Sequence, residues 1–102
     1  MLAHNNGTGV VAQPDTETAI CTWVSDGYSF LIGFMGTGSY SGEFILYVDG
    51  DPWYRYQTSP GNRTAYVADR GVLLPAGREV ILKVRHYDSS AQTFYGTILG
   101  GQ

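Results

Sequence analysis

Several residue groups in this chain could do chemistry by type and spacing. His86, Asp88, Ser89 and Ser90 place the members of a hydrolytic triad within one short stretch. On an extended strand His86 and Asp88 would project to the same face, which does not let an acid orient a histidine against a serine nucleophile. The G-x-S-x-G elbow is also missing. His86 falls on the apolar face of an alternating segment, so it is expected in or beside the core with a hydrogen-bond partner, and no catalytic residue is assigned. His4 and His86 are far apart in sequence, and Cys21 has no neighbouring ligand, so zinc spacing is absent. Asp49-Gly50-Asp51 is a fragment of a calcium loop without the closing Glu, and is better read as a hairpin turn. Gly36-Thr37-Gly38 is followed by neither the Lys nor the helix of a phosphate loop. No metal and no cofactor is expected. Asn6-Gly7-Thr8 and Asn62-Arg63-Thr64 match the glycosylation pattern, which has meaning only behind a secretory signal.

The aromatics carry more information. Tyr, Phe and Trp make up 14% of the chain, and Tyr40, Phe44, Tyr47, Trp53, Tyr54 and Tyr56 fall close together. One sheet cannot turn both faces to one core, so some of Tyr47, Trp53, Tyr54 and Tyr56 are expected outside it, as an interface or a platform for stacking on sugars. Arg55, Arg63, Arg70 and Arg78 cluster in the following stretch. Arg suits bidentate contacts with carboxylates across an interface as well as a solvated strand face. Ile81 shares an outward face with Lys83, Arg85 and Tyr87, and a patch there would grow if Tyr95 and Leu99 lay beside it.

Composition limits the classes of function. A chain of 102 residues suits one domain with a modest core. Charged residues are 15% against 43% apolar, too few for a disordered tail or a solvated helical rod. A net charge of −3 gives no surplus of cations to replace the counterions of nucleic acid, so no nucleic-acid partner is expected. No apolar run approaches membrane-spanning length, and no signal peptide is recognised, so synthesis and folding in a reducing cytoplasm are expected and no membrane partner is. The single cysteine, Cys21, cannot form an internal disulfide.

The elements that must position these residues read as strands. Residues 1–16 are small and polar, with Val10-Val11 as an apolar pair, and are expected to form an extended N-terminal arm, frayed or ordered on a partner. From residue 17 to 102, short strands alternate with Gly, Pro, Asn and Asp turns. Strands are expected over 17–24, 28–35, 43–49, 53–58, 64–69, 79–87 and 94–99, with the glycine-rich 36–42 as a loop or bulged bend. Asp49-Gly50 marks a type I′ hairpin. In the return strand Trp53, Arg55 and Gln57 would face one way and Tyr54, Tyr56 and Thr58 the other. No window carries a helical period, and about eight strands at this spacing predict an all-β fold, a single antiparallel β-sandwich or jelly roll.

Two stretches, Gly42–Gly50 continued by Tyr54–Ala65, and Leu74–Val84 closed by Phe94–Gly100, resemble small β-sandwich virion structural proteins of tailed bacteriophages. The resemblance spans about residues 17–102. It implies a virion location and no catalytic residue. The expected function is a capsid decoration (cement) protein that assembles as a symmetric oligomer, a trimer among the options. Its expected partners are other virion proteins of capsid or tail and further copies of itself. The alternative is a tail-fibre, collar or baseplate module that binds host glycan. The candidate contact residues are Tyr47, Trp53, Tyr54, Arg55, Tyr56, Arg63, Arg70, Ile81, Tyr87 and Tyr95, with Val10 and Val11 for a partner-binding arm.

Overall fold

A computed structural model of the chain describes residues 2–5, 9–25, 29–57 and 64–101, with side chains for 9–25, 30–57 and 72–100. No described residue is helical. The strands are β1 (Leu2–Asn5), β2 (Val10–Ala12), β3 (Thr18–Val24), β4 (Ser29–Gly38), β5 (Glu43–Val48), β6 (Asp51–Gln57), β7 (Thr64–Leu74), β8 (Glu79–Arg85) and β9 (Gln92–Gly101). They form two antiparallel sheets. One has the order β1-β9-β4-β7, with β2 also on β9, and the other has the order β3-β8-β5-β6.

The pairings are nested along the chain: β5 with β6, β4 with β7, β3 with β8, and β1 and β2 with β9. A long hairpin rolled so that alternate pairs enter opposite sheets gives this order, which is that of a jelly roll. The fold is thus the expected all-β sandwich. The tight centre of the roll is the β5–β6 hairpin, where Asp49 (φ 51°) and Gly50 (φ 85°) take the two positive φ values of a type I′ turn. The extended N-terminal stretch lies as β1 and β2 against β9, with Val10 opposite Phe94.

Alternation decides which side chains enter the core. Val80, Leu82 and Val84 of β8 meet Phe44, Leu46 and Val48 of β5 across one sheet, and Phe34 and Ile98 pair in the other. His86 continues the buried series of β8. Its Nδ1 accepts from the Asp88 N–H at 3.2 Å, so Nε2 carries the proton and donates to the Ala12 carbonyl at 2.7 Å. The histidine that sequence placed at the core edge therefore ties β2 to the end of β8.

The structure departs from expectation around residues 36–42. The first half of this stretch is not a loop: β4 continues through Gly36 to Gly38, and the glycines lie on its core side. A Cβ built on Gly36 would sit 2.4 Å from the Phe44 ring, and one on its strand partner Gly96 would sit 2.6 Å from Leu82. These glycines are places where side chains of the facing sheet reach down to backbone. β7 is likewise longer than the expected 64–69, running to Leu74.

Candidate functional site

Three surfaces hold the sequence-derived candidates, and the topology separates them. The first is the outer face of the β3-β8-β5-β6 sheet. Ile45 faces outward there yet is fully buried, between Lys83 on β8 and Arg55 on β6, whose alkyl stems are long enough to cover it. Arg55 Nη1 donates to Glu43 at 2.9 Å, and Lys83 Nζ lies 4.7 Å from the centre of the Tyr47 ring. The Tyr47 hydroxyl donates to Glu17, which raises its pKa. Ile81 is half-buried beside Tyr47. Tyr87 is exposed past the end of β8, with the Arg85 guanidinium 5.4 Å from its ring centre and bonded in turn to Asp15. On this face Arg55 is ion-paired with Glu43 and Arg85 with Asp15.

The second surface is the open edge between β6 and β7. A register shift falls between Leu46 and Tyr47: Leu46 pairs with Tyr54 and Tyr47 with Pro52, leaving Trp53 unpaired. This bulge changes where Trp53 points. Tyr54 packs against the core, and Tyr56, edge-on to Phe34 at 5.9 Å, keeps 38% of its surface exposed. Trp53, 40% exposed, borders a groove of about 330 Å³ with Val48, Leu73, Leu74, Pro75, Asp49, Asp51 and Arg78. Asp49 accepts from the Glu79 N–H at 2.9 Å and from Arg78 Nη1 at 2.7 Å, and these bonds hold its carboxyl below the usual range. Sequence reasoning proposed Trp53 but not the groove, because its other walls come from the distant 72–78 stretch.

The third surface is the outer face of the other sheet. Tyr95 and Leu99 lie here and not beside Ile81; the joint patch considered from sequence does not form, since β8 and β9 belong to different sheets. Cross-strand pairs place Phe30 opposite Leu73, Met35 opposite Thr97, Thr37 opposite Tyr95 and Val11 opposite Thr93. Tyr95 also lies over Gly9, where a Cβ would come within 2.6 Å of its ring. β2, β4 and β9 contain no charged residue at all. Val11 (60%), Phe30 (44%), Leu73 (53%) and Tyr95 (45%) are nonetheless well exposed. Val10, by contrast, packs against the core. The visible signal is a set of charge-free runs, 1–14, 27–42 and 89–102, whose described strands β1, β2, β4 and β9 share this one sheet. Arg63 lies outside the described residues, as does the side chain of Arg70.

Cys21 of β3 packs half-buried against the core, and burial pushes its thiol up to about 11, outweighing a lowering hydrogen bond to the Ile98 backbone. Alkylation by iodoacetamide in mildly alkaline buffer is expected to be slow in the folded protein and fast in urea, as read by mass spectrometry. The unfolded thiol ionises at its ordinary 9.0, so stability falls as pH rises from there toward 11. Equal alkylation rates in the two states would contradict the burial.

The described side chains thus define an antiparallel jelly roll with one charge-paired face, one uncharged face and an aromatic groove at an open edge. No protein-family model matches this sequence, and no curated protein matches it.

Proposed function

We propose that this chain is a virion structural protein of a tailed bacteriophage, most simply a capsid decoration protein acting as a symmetric oligomer. The sequence resemblance supplies the virion setting, and the outer face of the charge-free strands β2, β4 and β9, with Leu73 of β7 beside it, carries the assembly reading. Phe30 with Leu73 toward one end of the sheet and Tyr95 with Val11 toward the other leave on the order of 400 Å² bare in all, within what a lone subunit shows, on strands that offer no charge to keep them wet. A second copy is the occupant that suits this face. The chain is acidic, with charge −3, so two copies repel through most orientations. They meet without burying a described charge only through the strands that have none. Symmetric contact of one patch with itself is also the commonest way in which identical chains associate.

Light scattering on a sizing column tests this: the expected mass is a multiple of 11.1 kDa. Phage particles stripped of the protein are expected to take it up again. A monomer at high concentration that also fails to rebind stripped capsids or tails overturns the proposal.

A further inference from the structure

We propose that the groove between β6 and β7 is a binding site for a neutral sugar ring, with Trp53 as the stacking plane. The inference rests on the sandwich edge, which shares only Leu73 with the uncharged face, so variants of Trp53 and Asp51 test it apart from assembly. The bulge places Trp53 out of register with its partner strand, so a large ring stays partly in solvent although the core is close by. The groove, about 330 Å³, is at the small end for small-molecule sites, the size class of one or two sugar rings. Val48, Leu74 and Pro75 supply apolar lining next to the indole.

The polar groups select the ligand class. Asp49 and Asp51 are acceptors, and Arg78 is a donor fork of which Asp49 takes one N–H at 2.7 Å. An ammonium ligand offers only donors, and any cation would leave the guanidinium facing like charge. A carboxylate offers only acceptors, and it or a phosphate would bring negative charge against two aspartates. A sugar hydroxyl both donates and accepts, so a neutral polyol ring satisfies both kinds of group while its C–H face covers the indole. Asp49 is locked by the Glu79 N–H as well as by Arg78, so the rim is set before a ligand arrives.

The test is calorimetric titration and Trp fluorescence with a panel of neutral oligosaccharides of glucose, galactose and N-acetylglucosamine. At least one is expected to bind in the millimolar range or tighter and to shift the indole emission. Trp53→Ala is expected to weaken that binding by about tenfold or more, and Trp53→Phe by less. Asp51→Asn, at an exposed position, is expected to weaken it with an unchanged melting curve, which keeps the test decisive if Trp53→Ala unfolds. Tyr95→Glu, on the uncharged face, is expected to leave it unchanged. The proposal is overturned if no sugar binds at saturating concentration, if binding survives both Trp53 variants, or if tetramethylammonium or inorganic phosphate occupies the groove instead.

Discussion

Replacing Gly36 by valine is expected to lower the stability of the folded chain by about 3 kcal/mol, the upper part of the range for overpacking a core. The clash is with the fully buried Phe44 ring and not with the flexible tip of a side chain: the first added carbon would already lie 2.4 Å from Phe44 Cε1. Gly96, the strand partner of Gly36, is itself covered by Leu82 from the other sheet, so moving the β4–β9 pair outward to relieve the clash would also strip that contact. Total stability of a domain this size is about 5–15 kcal/mol, so the loss should be plain in guanidinium midpoints with an unchanged slope. Should Gly36→Val fail to fold, Gly36→Ala gives a smaller loss, and adding Phe44→Leu should return part of it, because the two sites share one space. Gly50 is the contrasting control. A Cβ there meets nothing within 4 Å, but φ is 85°, so Gly50→Ala should cost only about 1 kcal/mol through backbone strain. A Gly36→Val chain as stable as the parent would mean that the sheets are not packed this closely.

Introducing charge into the uncharged face is expected to have the largest effect on assembly. In the double variant Phe30→Glu, Tyr95→Glu, every new carboxylate appears again on the second copy, so a contact through this face must desolvate four like charges. Like charges brought together in an interface cost several kcal/mol, enough to weaken association by on the order of a thousandfold. Phe30 and Tyr95 are 44% and 45% exposed, so the fold itself should tolerate both changes. Sedimentation should then show a monomer with the parent's circular dichroism spectrum. The same two substitutions with glutamine should fall between parent and glutamate. An oligomer that persists unchanged would place the contact elsewhere, and charge reversal on the opposite face, Lys83→Glu with Arg85→Glu, would be the next position to probe.

The local pattern was legible where one strand face meets the core and the other meets water. Alternation in 43–49 and 79–87 placed Phe44, Leu46, Val48, Val80, Leu82, Val84 and His86 inward, and all are buried. Asp49-Gly50 announced its turn because few residues accept two successive positive φ values. Gly36 and Gly38 misled for a physical reason. Glycine is a poor strand former on its own, and only the Phe44 and Phe94 rings lying over those positions make it the residue that fits. Trp53 broke the alternation of its strand because a bulge is an event between two strands and leaves little trace in one.

The amino-acid sequence by itself determined the strand-forming tendency, the all-β class, the place of the tightest hairpin and the shortage of charge. These depend on neighbours along the chain. Only the tertiary structure decided that β8 and β9 lie in different sheets, so that Ile81 and Tyr95 never meet, and that three charge-free segments gather into one surface. It also decided that residues 48–53 and 73–78 wall one groove. The reason is the nesting of the strand pairs: partners far apart in sequence are chosen by closure of the whole roll, which no local stretch of residues encodes.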